Sequence, residues 1–213
     1  MKIRTICFAM VAIFLFAGIS ANAQNRWELT PFVGYETSGS YPVASSGNST
    51  IPVDRLRANA NVNFGAFLDH NLTENFQLEF MWNRNNSSYS AHDILTNSYF
   101  NAFHSDIDQF QFGGLYMLRD SEHKLRPYAA ASLGFTHDSN SNANPDRTAF
   151  SWSIGGGVKY SLMKHVGLRG DLRYLPTYGS SSDQLYCDFG CYTATARHFL
   201  NRGSFTGGIV FKF

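Results

Sequence analysis

Charged residues of both signs recur at every second position within otherwise apolar or small-residue segments of the chain. Such spacing places the charges on one face of a β-strand, because successive side chains of a strand point to opposite faces. If that face is enclosed, the charges must pair with one another, since charges are rarely buried unpaired. We interpret the set as a polar core that satisfies itself, and the alternative is a narrow path for ions. The residues are Glu28, Arg57, Glu79, Arg126, Lys159, Arg169, Asp171, Arg173 and Lys212.

Two cysteines, Cys187 and Cys191, lie close together in a long polar segment, with Gly190 between them to ease a tight closure. In an oxidising compartment such a pair predicts a small disulfide-closed loop. A metal site with His198 is the alternative, but two thiols and one imidazole fall short of the usual four zinc ligands. We therefore predict a disulfide and expect neither a metal nor another cofactor.

The elements that must position these side chains are strands, because apolar residues recur with a period of two. Between Leu56 and Leu68, one face of the predicted strand carries no polar atom, and the opposite face carries Arg57 and three Asn residues. A narrow barrel encloses such a polar face, where the side chains must hydrogen-bond one another. The predicted strands are 27–36, 56–68, 76–83, 106–118, 125–136, 149–160, 166–174 and 204–213.

The connections between these strands alternate between long and short. Residues 37–52, 84–105, 137–147 and 175–202 are predicted long polar loops, and the connections between them are short. Transmembrane barrels have an even number of strands, short periplasmic turns and longer outer loops, whereas a soluble sandwich has no reason to sort its loops by length. The sequence therefore predicts an all-β protein, an eight-stranded antiparallel transmembrane up-and-down β-barrel. An eight-stranded barrel is about wide enough for side chains to fill it.

The last predicted strand has an apolar face and ends the chain on an aromatic residue. Aromatic residues form girdles at both interfaces of transmembrane barrels. The predicted girdle consists of Trp27, Trp82, Tyr116, Trp152, Tyr160, Tyr174 and Phe213.

The first residues have the pattern of a secretory signal peptide. Lys2 and Arg4 precede an apolar run over residues 6–19, and small residues flank Asn22 before Gln24. We expect residues 1–23 to be the signal peptide and residues 24–213 to form the barrel domain. The formal net charge of the 213 residues is +1, which gives no basic face for nucleic acid.

Three segments resemble strands of small OmpA-like outer-membrane barrels: Leu125 to Phe135 with its Arg-Pro-Tyr start, Ser153 to Tyr160, and the ending Phe211-Lys212-Phe213. The resemblance covers roughly residues 25–213. It implies an eight-stranded barrel in the bacterial outer membrane, whose last strand is read by the barrel-assembly machinery. We expect a monomer whose other partners are outer-membrane lipids and lipopolysaccharide.

Catalysis has one candidate set, Asp183, His198 and Ser204, near the start of the last predicted strand. Lipid A deacylases are barrels with such a triad, which works by geometry. Their His-x-Ser arrangement is absent, because Phe199 and Leu200 follow His198. We therefore predict that the protein is not an enzyme. The predicted function is a structural or surface-interaction role with a filled polar lumen and long surface loops. A narrow pore for ions or small solutes is the alternative, followed by a lipid A-modifying enzyme.

Overall fold

The computed structural model describes residues 27–37, 39–46, 53–140, 146–179, 184–187, 191–194 and 198–213. The predicted signal peptide, residues 1–23, lies outside these ranges. Within them, no helix is long and apolar enough to cross a membrane.

The described residues form fourteen β-strands, eight of which make the wall of a barrel. The wall strands are β1 (Trp27–Glu36), β4 (Asn61–Asn71), β5 (Phe76–Asp93), β6 (Ser98–Met117), β7 (Leu125–Asn140), β8 (Arg147–Ser161), β9 (Val166–Tyr174) and β14 (Gly203–Lys212). The other strands lie in the long connections: β2 (Ser40–Ser46), β3 (Val53–Ala58), β10 (Thr177–Gly179), β11 (Gln184–Cys187), β12 (Cys191–Ala194) and β13 (His198–Leu200).

The wall closes because β1 pairs antiparallel with β14 on one side and with β4 on the other. The remaining wall strands pair antiparallel in chain order, from β4 through β9 to β14. Where the ends meet, the N–H of Trp27 donates to the carbonyl of Phe213 at 3.1 Å, and the N–H of Phe213 donates back at 2.9 Å. The predicted eight-stranded antiparallel barrel is therefore confirmed. Such closure lets backbone groups find partners within the wall, as a span through lipid requires.

The two faces of the wall have opposite polarity. Large apolar side chains such as Val33, Leu133 and Phe205 point outward, and each is more than half exposed. Their chain neighbours Ser132 and Ser204 point inward and are buried. A polar interior inside an apolar exterior is the reverse of a water-soluble protein and is typical of a barrel in lipid.

The predicted second strand, residues 56–68, is wrong in its first part. The chain divides there into β3 and β4, and Asn59 and Ala60 belong to neither strand. This break resets the alternation, so that Ala58 is buried where the sequence predicted contact with lipid. Arg57, predicted to point into the lumen, is instead exposed on β3, outside the wall.

The long loops were also predicted to be less regular than they are. The predicted loop 84–105 is mostly a hairpin, because β5 continues to Asp93 and β6 begins at Ser98. The predicted loop 137–147 begins with the end of β7, which runs to Asn140. Strands that rise beyond the membrane meet water on their outer face, so the alternation of apolar and polar residues stops while the backbone pairing continues.

These extensions form a folded layer at one end of the barrel, which we call the surface sheet. It consists of β2, β3, β11, β12 and residues 86–104 of the β5–β6 hairpin, with strand order β11-β12-β2-β3-β5. At the hairpin tip, Asp93 accepts hydrogen bonds from the N–H of Leu95 at 2.9 Å and from the hydroxyl of Thr96 at 2.8 Å. Asn97 completes the turn with a positive φ of 50°, a conformation that Asn tolerates well.

Candidate functional site

The centre of the lumen is built by β9, in which Arg169, Asp171 and Arg173 occupy every second position. The pleat therefore points all three side chains inward. Each is only 3% exposed. Three charges that are buried this completely must find partners from other parts of the wall.

Arg169 is the main connection across the lumen. Its guanidinium donates to Asp69 at 3.1 Å, to Glu79 at 2.6 Å and to Asp171 at 2.9 Å. Asp69 belongs to β4 and Glu79 to β5, on strands far from β9 along the wall. A planar guanidinium has five donors in a fixed geometry, which suits it to hold several carboxylates at once.

Two aromatic rings hold Arg169 in place. Its guanidinium carbon lies 3.8 Å from the ring centre of Phe67 and 5.0 Å from that of Tyr128. The Tyr128 hydroxyl accepts a hydrogen bond from Arg169 Nε at 2.8 Å and donates to Asp171 at 2.5 Å. Gly157 gives this ring its space, since a Cβ there would lie 2.6 Å from the Tyr128 hydroxyl. The rings fix the plane of the guanidinium and with it the direction of its donors.

Arg173 and Lys159 add further ion pairs to those of Arg169, one on each side of it along the lumen. Arg173 forms ion pairs with Glu79 at 2.7 Å and with Asp171 at 2.8 Å. Lys159 donates to Glu28 at 2.6 Å, to Asp69 at 2.6 Å and to Gln77 at 2.7 Å, which uses all three hydrogens of its ammonium group. We call the connected charges the lumen network, which comprises Glu28, Asp69, Glu79, Lys159, Arg169, Asp171 and Arg173.

A second polar layer lies between the lumen network and the surface sheet. Arg202 donates to Glu36 at 2.8 Å, and both side chains are buried. Asn83 donates to Glu36 at 3.1 Å and to Gln109 at 2.8 Å, while Asn63 donates to Asn83 at 3.0 Å. Side chains from opposite parts of the wall therefore meet at this level as well.

The predicted charge set divides into three groups. Arg126 and Lys212 lie at the end of the barrel that carries the short turns, where Arg126 donates to backbone carbonyls and Lys212 donates to Ser161 Oγ at 2.9 Å. Arg57 lies outside the lumen, as described above. The structure brings the others together in the lumen network: Glu28, Glu79, Lys159, Arg169, Asp171 and Arg173.

Sequence reasoning missed several members of these layers. Asp69 falls in a predicted short connection, although one more step of the alternation through Phe67 places it inward. Arg202 is the last residue of the predicted loop 175–202, and Glu36 is the last residue of the predicted strand 27–36. Tyr128 shares the inward register of Arg126 in the predicted strand 125–136, but nothing in the sequence indicates that it contacts Arg169.

The other candidates have simpler placements. Ser204 faces the lumen, where its hydroxyl accepts a hydrogen bond from Asn63 at 2.9 Å, whereas Asp183 lies outside the described residues. For His198 only the backbone is described. The backbones of Cys187 and Cys191 are directly opposite in the β11–β12 pair, and their disulfide remains a prediction.

Six of the seven predicted girdle residues lie on the outward register of their strands, and Phe213 directly follows β14. Trp82 Nε1 donates to Asp108 at 3.1 Å, and the Tyr174 hydroxyl donates to Asn201 at 2.7 Å. An apolar ring with a polar tip that finds a partner suits a membrane interface. Towards the short-turn end lie Trp27, Tyr116, Tyr160 and Phe213, and towards the surface sheet lie Trp82, Trp152 and Tyr174.

Comparison with known proteins gives a consistent result. A family model described as an outer membrane protein beta-barrel domain matches residues 11–213. The crystal structure of the outer membrane protein OprG from Pseudomonas aeruginosa has a TM-score of 0.63 at 10% identity, and the match covers 88% of this chain and 95% of that chain. Neisserial surface protein A has a TM-score of 0.53 at 14% identity, with 91% of this chain and 100% of that chain covered. No curated protein matches the sequence. At these identities the two solved structures show a shared fold.

Proposed function

This chain belongs to the outer membrane protein β-barrel domain family, and from that premise we propose that it is a filled barrel with a structural and surface-interaction role. It is a protein of the bacterial outer membrane. In the proposed role the wall anchors the protein, the lumen network keeps the interior closed, and the surface sheet is the part that meets other molecules. Neither ion conduction nor catalysis belongs to this role.

The observation that carries the proposal is the way in which the lumen network spans the interior. Lys159 of β8 holds Glu28 of β1 and Asp69 of β4, while Arg169 of β9 holds Asp69 and Glu79 of β5. These contacts cross the lumen, so a passing ion would have to separate several buried pairs. Breaking one buried pair already costs about 3–5 kcal/mol. A network of this kind favours a closed interior.

The surface sheet supports the second half of the proposal. Its strands come from three different connections of the barrel, so strands of three outer loops pack into one paired layer. A layer of paired strands presents side chains at fixed spacing, which favours specific contacts with little loss of conformational entropy.

Conductance in planar bilayers tests the closed interior. We expect the purified protein to give no steady single-channel steps, whereas a variant with Glu79→Ala and Arg173→Ala, which removes one charge of each sign, should give brief openings. A variant changed only on the outer face, Val33→Ala, is the control and should match the wild type. Steady steps from the wild-type protein that vanish after thermal unfolding would contradict the proposal and favour the narrow pore.

Complementation separates the two parts of the role. Cells that lack the protein would receive either the full chain or a variant in which a short turn replaces residues 86–104. Sensitivity to detergents reports on membrane integrity, and we expect both chains to restore it if the barrel folds. Contact with other molecules at the cell surface should be restored only by the full chain. If the shortened chain restores every phenotype, the surface sheet has no such role.

A further inference from the structure

The short-turn end of the barrel contains an open cavity of about 580 Å³, which we call the vestibule. From the chemistry of its lining we propose that the vestibule binds small molecules that carry two or more carboxylate or phosphate groups. Since the short turns of such barrels lie in the periplasm, the ligand would approach from that side. This inference is independent of the role proposed for the surface sheet.

The cations of the vestibule lack the partners that the cations of the lumen network have. Arg126, Lys164 and Lys212 all line the cavity. Within the described part of the chain, none of the three forms an ion pair with a carboxylate, whereas Lys159 and Arg169 each hold at least two. The vestibule therefore carries an excess of positive charge, which Glu28 offsets only in part, because it attracts Lys212 from beyond ion-pair distance.

The two acidic residues of the lining do not cancel this charge. Glu28 is already held by Lys159 at 2.6 Å. Glu74 lies exposed on the turn after β4, where its side chain can remain in water. One carboxylate at the rim thus stands against three cations without an ion pair in the described part of the chain, Arg126, Lys164 and Lys212.

Hydroxyl groups supply neutral donors beside these cations. Ser161 Oγ accepts a hydrogen bond from Lys212 at 2.9 Å, and Thr73 Oγ1 accepts one from the N–H of Phe76 at 3.0 Å. Each hydroxyl thereby keeps its own hydrogen for another acceptor. Ser121 adds a further hydroxyl to the lining. Charge-assisted donors together with neutral donors are the combination that oxyanions prefer.

The cavity has the size of a binding site and the form of a dead end. Small-molecule sites have volumes of roughly 300–1,000 Å³, and 580 Å³ lies within that range. The Glu28 carboxylate at its inner side belongs to the lumen network. Beyond that network, the cavity beside Arg202 has a volume of only about 10 Å³. A ligand would therefore dock in the vestibule and not pass through the barrel.

Calorimetric titration of the full chain in non-ionic detergent tests the proposal, with pyrophosphate and citrate as separate probes at low ionic strength. We expect saturable binding of at least one probe in the millimolar range or tighter. Lys164→Gln and Lys212→Gln should each weaken binding roughly tenfold, as expected for one charge near an anion in partly desolvated surroundings. Binding of only one probe would identify the preferred oxyanion, phosphate or carboxylate.

Lys124→Gln is the matched control, because Lys124 is exposed on the same end of the barrel but does not line the vestibule. Its loss changes the net charge equally, and we expect less than a twofold effect. Equal weakening by Lys124→Gln would show general charge attraction and overturn the proposal, as would the absence of saturable binding of either probe. Glu74→Gln should tighten binding, while heat-modified gel mobility verifies that each variant is folded.

Discussion

Replacement of Arg169 by Met is the most direct test of the contribution that the lumen network makes to stability. The side chain is buried and contacts three carboxylates and two aromatic rings. Each of these carboxylates keeps one other cation, Lys159 or Arg173, so none loses every partner. The three carboxylates are Asp69, Glu79 and Asp171.

The expected loss in the free energy of unfolding follows from the charges that remain in Arg169→Met. Without Arg169, the four carboxylates of the lumen network share the two cations Lys159 and Arg173. Removing one partner from a buried ion pair costs about 3–5 kcal/mol, and the retained partners place the expected loss near the lower end. Arg169→Lys keeps the charge but loses the forked donors of the guanidinium and its stacking on Phe67. We therefore expect the free energy of unfolding to fall by about 1–2 kcal/mol.

The assay is urea unfolding of the protein in lipid vesicles. Tryptophan fluorescence and the gel mobility of unheated samples monitor the unfolding. Arg84→Met is the control, because Arg84 is 39% exposed and forms its ion pairs near the surface, with Asp106 at 2.9 Å and with Asp108 at 3.6 Å. Such an exposed pair contributes about 0–1 kcal/mol. The reasoning fails if Arg169→Met costs no more than Arg84→Met, or if Arg169→Lys costs as much as Arg169→Met.

Three further predictions concern the outer face, the network and the hairpin tip. Ala131→Arg places a charge on the lipid-facing side and should cost about 2–4 kcal/mol in the same urea assay, whereas His137→Arg, beyond the membrane on the same strand, should cost little. Lys159→Met leaves the Glu28 carboxylate without its ion-pair partner, so adding Glu28→Gln should restore part of the lost stability; a further loss in the double variant would contradict the pairing. Hydrogen bonds from a hydroxyl and a backbone N–H lower the pKa of Asp93. The stability that these bonds give the hairpin tip is therefore present above the ordinary pKa of an aspartate, and it is lost as the pH falls through the lowered pKa. Hydrogen exchange at residues 94–97 should then increase in acid, and Asp93→Asn should remove that pH dependence.

The wall was predictable because lipid and lumen impose opposite demands on neighbouring residues. From Phe76 to Asn83 and from Val166 to Tyr174, the alternation in sequence matches the alternation of exposed and buried side chains. The prediction failed where this contrast ends. Beyond the membrane, Ser87 and Ser90 are buried in strands that look like polar loop in the sequence. At Asn59 and Ala60 the strand breaks, which no change in composition indicates.

The lumen charges were predictable as a set but not as pairs. Arg169, Asp171 and Arg173 are recognisable because they alternate strictly within one short strand. Their contacts with Asp69 and Glu79 depend on how far each strand is shifted relative to the next around the closed wall. That shift is a property of the whole barrel, and no single segment contains it. Arg202 is not predictable for a related reason, since it precedes the wall strand β14 and its pairing with Glu36 depends on the closed wall.

The lumen network also explains why the wall closes in one register. Hydrocarbon contacts every apolar side chain equally well, so the outer face gives little preference for one relative shift of the strands over another. The inner face does give a preference, because Lys159 of β8 holds both Glu28 and Asp69, which lie opposite each other in the β1–β4 pair across the lumen. A strand that slipped by one residue would exchange its two faces, and a slip of two would leave buried charges without partners. Buried polar groups are known to specify one arrangement in some other proteins. We infer that in this barrel the ion pairs of the lumen network help to select the register of the wall.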